Sequence, residues 1–426
     1  MKILVVGGGG REHAIIRKLR QSPLAEKIYA LPGNGGIAAD AECVNIPATA
    51  IDSIAAFAQS QGIDFAVVAP DDPLAMGCVD RLHEKGIPCF GPEARAAQIE
   101  ASKVFAKDLM KKYHIPTAKY ETFSDPDAAT AYALSGRFPV VVKADGLALG
   151  KGVLICQNAD EAKAAIDSIM RNKQFGDSGN RVVIEEFLQG PEVSVLAFTD
   201  GKTIKPMLSS MDHKRALDHD QGLNTGGMGT IAPNPYYTPQ IAQRCMDEIF
   251  LPTIAAMNAE GRTFRGCLYF GLMLTEDGPK VIEYNCRFGD PETQVVLPLL
   301  KSDLLSIMRA CEYGTLAETP VEFSDGAACC VILASGGYPE KYEKGKEITL
   351  NPAAIAPNVH IYHSGTKLEN GSLYTNGGRV LGITATAATL KQAISDAYIS
   401  TRGIHFDGMF MRNDIGARAM QALENE

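Results

Sequence analysis

Short apolar runs closed by glycine or proline alternate with amphipathic stretches over residues 1–102. KILVVG reads as a buried strand ending in glycine, with KIYAL and DFAVVAP as further strands. Arg11–Arg20, Ile51–Gln59 and Cys78–Lys85 read as helices between and after them, and PCFGP closes the series. This is a βαβ pattern, which predicts a parallel sheet. Arg95–Tyr113 predicts one long helix, stopped soon after by Pro116. A second α/β unit follows: TAKYETF, a helix at Pro126–Leu134, FPVVVKADG, a helix at Ala159–Met170, and RVVIEEFLQG. Glu192–Phe198 and the region to Met211 read as strands, and Asp212–Pro235 as a polar, Gly-rich loop. A helix spans Pro239–Glu260, and a hairpin joins CLYFGLML to KVIEYN through TEDGP. Leu299–Gly314 is helical. From about Ala327 the pattern changes to short strands and turns, ended by a helix at Leu390–Thr401. The expected fold class is therefore multidomain α/β and α+β, with units at 1–102, 103–326 and 327–426 packed into one body.

The densest chemistry lies in Val281–Gln294, VIEYNCRFGDPETQ. Alternation along a strand at Val281–Asn285 puts Val281, Glu283 and Asn285 on one face, and Ile282 and Tyr284 on the other. Glu283 and Asn285 then present two hard oxygens side by side. That is a fragment of a Mg²⁺ site of the kind completed by substrate phosphates. Arg287, Asp290 and Glu292 follow on a turn marked by Gly289 and Pro291. The alternative is a hairpin end with a surface ion-pair network.

Two glycine clusters offer phosphate sites. Gly7–Gly10, followed by Arg11, sits between a strand and a helix, where backbone N–H groups and the helix dipole hold an anion. Glu12 stands where a dinucleotide fingerprint needs glycine, so a sugar monophosphate fits better than NAD; the alternative is a tight turn without a ligand. The second cluster, Lys143 to Gly152, resembles a P-loop but is one residue short and precedes a strand. It reads either as a lid over phosphates or as a hairpin turn with solvated lysines. Glu185-Glu186-Phe187-Leu188 offers an adenine slot built from backbone groups, with Glu192 for ribose hydroxyls, or else a solvated strand end. Asp212-His213-Lys214-Arg215 and Asn224–Gly229 add a basic, Gly-rich loop suited to anions. His213 and His219 lack metal-ligand spacing and read as structural or solvated, and no Ser-His-Asp or Cys-His signature emerges.

Composition narrows the partners. The 426 residues carry a net charge of -9, which argues against a nucleic-acid polymer. The 10 cysteines form no C-x-x-C pair, so buried reduced thiols are expected rather than zinc or disulfides. No apolar run approaches the ~18 residues of a membrane span, and MKILVVGGGG breaks into glycines too early for a signal peptide. A cytoplasmic location is expected.

Taken in order, GGREHA, PGNGG, KADGLALGKGV, VIEEFL, MDHKR, NTGGMG and VIEYNCRFGDPETQ resemble the ATP-grasp ligases, and among them the glycinamide ribonucleotide synthetases. HSGTK and TNGGRVL extend the resemblance over essentially the whole chain. It implies an N-terminal pre-ATP-grasp domain, a two-subdomain ATP-grasp core with a lid at about 120–190, and a small C-terminal domain. It implies ATP with Mg²⁺ or Mn²⁺, glycine and 5-phosphoribosylamine as substrates, a glycyl phosphate intermediate, and a monomer. In that reading Glu283 and Asn285 hold the metal. Lys103, Lys143, Gly150, Lys151, Gly152, Glu185, Glu186, Phe187, Leu188 and Glu192 take ATP. Gly9, Gly10, Arg11, Asp71, Lys214 and Asp290 take the other substrates, with Arg287, Asp212 and Glu292 catalytic. Gly8 stands where the family leads one to expect Asn, and Asp71 where it usually has Glu. CLYFGLML carries no additional acidic metal ligand. Another ATP-grasp carboxylate–amine ligase shares the nucleotide motifs but not GGREHA and NTGGMG. An ATP-sensing module need not retain Glu283, Asn285, Arg287 and Lys143.

Overall fold

The computed structural model of the chain describes residues 1–147 and 152–424. Gly150 and Lys151 lie outside them. The first unit is a parallel sheet in the order Glu42–Cys43, Lys27–Pro32, Lys2–Gly7, Phe65–Val68, Cys89–Phe90. Ile3, Leu4, Val5 and Val6 are fully buried. Leu4 and Val6 enter one core cluster and Ile3 and Val5 another, because helices cover both faces of a parallel sheet. Strand order reverses about Lys2–Gly7, which puts the glycines that follow it at the crevice where such sheets bind ligands. Glu42–Cys43 and the helix Asp71–Ala75 were not expected from the pattern and are too short to carry a period.

The expected single helix at Arg95–Tyr113 is two, Ala94–Ala101 and Lys103–Lys112. Ser102 between them is extended, and its Oγ accepts the Phe105 N–H at 3.1 Å. A serine that caps the second helix ends the first. Its hydroxyl also donates to Asp145 Oδ1 at 3.0 Å, which fixes Lys103 beside the glycine cluster that begins at Gly146.

Tyr120–Phe123, Val182–Glu186, Val140–Ala144 and Val153–Cys156 form an antiparallel sheet in that order. Its apolar face packs on the helices Pro126–Ser135 and Ala159–Ile166 in a cluster of its own. A second antiparallel sheet runs Ile204–Pro206, Glu192–Thr199, Gly266–Thr275, Gly278–Asn285. The two sheets are the two halves of the central unit.

Asp212–Pro235 is more than a loop. It holds a small hairpin, Arg215–Leu217 with Gln221–Asn224, and a strand, Gly229–Ala232, that pairs with Ala327–Ser335. The third large sheet thus runs Met211–Asp212, Gly229–Ala232, Ala327–Ser335, Arg379–Ala387, Val359–His363. Strands of two and four residues flanked by glycine give too little alternation to see, yet they carry the central segment into the C-terminal sheet. The expected helix Leu299–Gly314 begins later, at Leu304–Tyr313, because Asp303 caps it at 3.1 Å from the Leu305 N–H, and a separate helix, Thr293–Leu299, precedes it. A last helix, Ala417–Glu424, was not expected. All ten cysteines are unpaired, and nine are buried. Among the described residues no helix is long and apolar enough to cross a membrane.

Candidate active site

Glu283 and Asn285 do share a face, but Val281 does not join them. Opposite Gly271 and Leu272 the register shifts, so that Leu272 pairs with Val281 and Gly271 with Glu283. Ile282 is the extra residue of a β-bulge, and a bulge reverses the alternation beyond it. Val281 and Tyr284 therefore enter the core while Glu283 and Asn285 turn outward to a common opening. The Ile282 carbonyl, freed by the bulge, accepts from Lys143 Nζ at 3.1 Å. Gly271 keeps the space for this: a Cβ there would stand 3.1 Å from Glu283 Cγ.

Cations surround Glu283. Burial opposes its ionisation, but Lys214, Lys143, Lys103 and Arg287 outweigh it and hold the carboxyl below its ordinary value. Lys214 Nζ lies 3.7 Å from Glu283 and 3.2 Å from Glu192, so one ammonium joins the two carboxylates. Lys103 donates to the Gly146 carbonyl at 2.8 Å. Its pKa is lowered by burial, with Glu283 pulling the other way. Among the described residues no three His, Cys, Asp or Glu side chains converge on a point. The protein thus offers two hard oxygen donors, Glu283 and Asn285. That set suits a divalent cation that takes its remaining ligands from phosphate and water.

Glu185 is not part of an open slot. It is buried, and its two oxygens pair with Lys143 and Lys107. Burial works against its charge, but the two ammoniums prevail and keep the carboxyl below its usual range. Lys107 was not expected here. It also donates to Thr117 Oγ1 at 2.8 Å, and burial brings its pKa down to about 8. Glu186 accepts the Lys119 N–H at 3.0 Å, so its side chain too is engaged within the protein. Phe187 and Leu188 are half-buried just past the end of Val182–Glu186, with backbone leaving the sheet. Glu192 borders a cavity of about 310 Å³ with Pro191, Met211, Tyr236 and Arg418. Gly152 closes the Lys143 hairpin, its carbonyl accepting the Ala144 N–H at 2.8 Å.

Carboxyls dominate the other end. Burial, then Glu292, pushes Asp212 well above its ordinary pKa, and burial raises Glu292 as well. Ser194 Oγ donates to Glu292 Oε1 at 3.4 Å and exchanges a hydrogen bond with Tyr269 at 2.8 Å. Asp290 differs: burial opposes its charge, but Arg379 and Arg11 hold its carboxyl below the usual value. Gln294 Nε2 donates to Asp290 Oδ1 at 2.6 Å. Arg287 donates to Glu100 Oε1 at 2.9 Å and to Asn285 Oδ1 at 3.3 Å. Asp71 sits in the same field, where it and Glu100 favour the charged guanidinium against burial. Glu100 and Arg379 were missed. Each is an ordinary charged residue in its own stretch, and only the chain's return across the molecule gives it a partner.

In the first glycine loop Glu12 turns back to accept the Gly9 N–H at 2.6 Å, the carboxylate half of a capping box at the start of the helix Gly10–Leu19. The Arg11 backbone amide helps keep Asp290 charged, while the Arg11 guanidinium bonds Glu12 at 2.6 Å and the Phe288 carbonyl at 3.2 Å. Of the amides expected to hold a phosphate, that of Gly9 is thus occupied by the Glu12 carboxylate. Gly8 packs against the Gly33 carbonyl too closely for any side chain, so an asparagine there would push the two loops apart. His13 and Asn34 tie these loops to the C-terminal unit: the His363 N–H donates to His13 Nδ1 at 2.9 Å, and Asn34 donates to the His363 carbonyl at 2.7 Å. His213 is buried, with both ring nitrogens bonded to backbone at Gly229 and Gly416.

Three models of phosphoribosylglycinamide synthetase match in succession: the N domain at residues 1–100, the ATP-grasp (A) domain at 101–293 and the C domain at 328–418. The phosphoribosylamine–glycine ligase of Caldanaerobacter subterraneus is 47% identical over 98% of this chain and 100% of its own length. The chicken trifunctional purine biosynthetic protein adenosine-3 is 46% identical over 99% of this chain and 42% of its own. The crystal structure of the Thermotoga maritima phosphoribosylamine–glycine ligase superposes with a TM-score of 0.85 at 34% identity, covering 97% of this chain and 100% of that one. A biotin carboxylase domain from Hydrogenobacter thermophilus, solved with MgADP and bicarbonate, shares the fold at a TM-score of 0.74 and 16% identity over 96% of this chain and 91% of its own.

Proposed function

The chain belongs to the phosphoribosylglycinamide synthetase family, and we propose that the side chains gathered around Glu283 divide its reaction into two halves. That reaction is the ATP-dependent joining of glycine to 5-phosphoribosylamine in de novo purine synthesis. The carrying observation is the bulged strand end. It turns Glu283 and Asn285 to one opening, with Lys103, Lys143 and Lys214 around Glu283 and with Arg287, Asp212 and Glu292 following.

In the first half, glycine's carboxylate attacks the γ-phosphorus of ATP, and ADP leaves. Such transfer is mostly positioning and charge neutralisation. Lys103 and Lys143 face the α- and β-phosphates, with Gly150, Lys151 and Gly152 as the lid over them. The backbone at Glu186, Phe187 and Leu188 takes the adenine edge, with Glu185 acting from behind to hold Lys143. Glu192 takes the ribose, and Lys214 links it to Glu283. Glu283 and Asn285 would hold Mg²⁺ or Mn²⁺, which supplies charge neutralisation on the phosphates when bound. Arg287 steadies the glycine carboxylate and the transferred charge.

In the second half, the amine of phosphoribosylamine attacks the acyl carbon of glycyl phosphate and expels phosphate. Asp212 and Glu292, whose burial makes them stronger bases than ordinary carboxylates, receive the amine's proton. Asp290, Arg11, Gly9, Gly10 and Asp71 shape the sugar end, Gly10 through its backbone and Gly9 through the turn that Glu12 holds. The units 1–102, 103–326 and 327–426, with the lid at about 120–190, work as one body. We infer a cytoplasmic monomer whose partners are small molecules, a nucleic-acid partner being disfavoured by the net charge of -9; light scattering at working concentration tests the monomer. The decisive assay is ADP release with ATP and glycine, with and without phosphoribosylamine generated in situ. Release that ignores both glycine and the amine overturns the assignment of the halves.

A further inference from the structure

We propose that Arg379, carried by the C-terminal sheet, is the positioning residue that sets the amine-accepting end of the site. Arg379 opens the strand Arg379–Ala387, far in sequence from the segment 101–293 that the ATP-grasp model matches. Its Nη1 lies 2.7 Å from the Asp290 carbonyl, 2.9 Å from Gly226 O and 3.3 Å from Gly227 O. Its Nη2 lies 3.5 Å from Asp290 Oδ2. One guanidinium therefore grips two loops at once, the Asn224–Gly229 loop and the turn after Asn285. Nη1 alone spans both loops, and the fork adds Nη2 toward the Asp290 carboxylate, a contact that a single ammonium occupied by the carbonyls would give up.

The glycines of the first loop are shaped to this grip. A Cβ on Gly226 would stand 2.9 Å from Arg379 Cζ. Tyr338, also from the C-terminal unit, receives the Gly226 N–H at 3.1 Å, so that peptide is held on both sides. Gly227, at φ +117, brings its Cα against Asp212, where a Cβ would meet Oδ1 at 2.6 Å. Moving the loop moves the wall behind Asp212, and releasing Asp290 moves the turn that carries Glu292. Arg379 also favours the charged forms of Asp212 and Asp290. Its hydrogen bonds and ion pair among the described residues go to Gly226, Gly227 and Asp290, at the end of the site away from the Glu283 lysines. Its influence is thus directed to the second half-reaction, and the inference rests on assigning Asp290 to the phosphoribosylamine.

The test is steady-state kinetics on the full-length protein, varying ATP, glycine and phosphoribosylamine in turn, for R379Q, R379K and D290N. R379Q is expected to raise KM for phosphoribosylamine about tenfold or more while KM for ATP changes less than about twofold, with R379K recovering part of the loss. Should R379Q fail to fold, the same split in R379K decides. KM values for ATP and the amine that rise together, or an amine KM equal to the parent's, overturn the proposal. A raised amine KM in D290N alone removes Arg379 and spares the site assignment. An unchanged amine KM in D290N removes the assignment itself.

Discussion

Glu100 holds Arg287 through a buried ion pair at 2.9 Å, and its second oxygen accepts the Cys286 N–H at 2.7 Å. Two successive residues of the turn are thereby fixed by one carboxylate from the helix Ala94–Ala101. Arg287 in turn donates to Asn285 Oδ1, which decides which end of that amide is oxygen. Position thus passes from Glu100 to Arg287 to Asn285.

Glu100→Gln keeps the shape but removes the charge. It is expected to lower kcat for ADP formation by about 10- to 100-fold, the order of loss that follows a small misplacement of reacting groups. Glu100→Ala should in addition cost about 3–5 kcal/mol of stability, because it strands a buried guanidinium. Thermal unfolding and initial rates on both variants separate the effects. Unchanged kcat in Glu100→Gln would remove Glu100 from the chain of positioning.

Glu283→Gln should abolish ADP formation with the fold intact. Amide oxygen is a weaker donor to a hard cation, and the lysines around it lose their counter-charge. Circular dichroism checks the fold and coupled ADP detection checks the rate. Near-normal turnover would move the metal elsewhere.

What the sequence made legible follows from how local each signal is. The paired faces of Glu283 and Asn285 could be read because two residues on a strand decide them. Val281 could not be placed correctly, since the bulge at Ile282 depends on the facing strand at Gly271 and Leu272. The strand Gly229–Ala232 was hidden because its partner, Ala327–Ser335, lies almost a hundred residues on. Glu185 reads as a slot residue in its own stretch, because Lys107 reaches it from the helix Lys103–Lys112, far away in sequence. Glycine motifs marked the turns proposed to meet ligands, but not that Glu12 already takes the Gly9 amide.

Lys107, Glu185 and Lys143 form a buried triad with one negative and two positive members. Glu185→Gln leaves two ammoniums without their shared counter-ion. It should cost about 3–5 kcal/mol, as expected when one partner of a buried pair is lost. The pKa of Lys107, already about 8, should fall further, and KM for ATP should rise as Lys143 loses its anchor. Denaturant unfolding and ATP titration measure the two effects. A variant as stable as the parent would mean that water reaches the triad.

His213 makes the protein's acid sensitivity testable at one residue. It is 1% exposed, and both ring nitrogens are committed: Nδ1–H donates to the Gly229 carbonyl at 3.1 Å, and Nε2 accepts the Gly416 N–H at 3.2 Å. Burial, with Arg412 and Arg418 nearby, lowers its pKa from 6.5 to about 4. Because the folded value is below the unfolded one, the unfolded chain takes up the proton first as pH falls. The stability tied to neutral His213 is whole above about 6.5 and is lost between there and about 4. Its size is about 3 kcal/mol, at roughly 1.4 kcal/mol per pKa unit. His213→Asn keeps a donor toward Gly229 but cannot titrate. Its unfolding free energy should therefore fall less steeply than the parent's over the same window. Parallel pH profiles for the two proteins would show that the ring already carries its proton in the folded state.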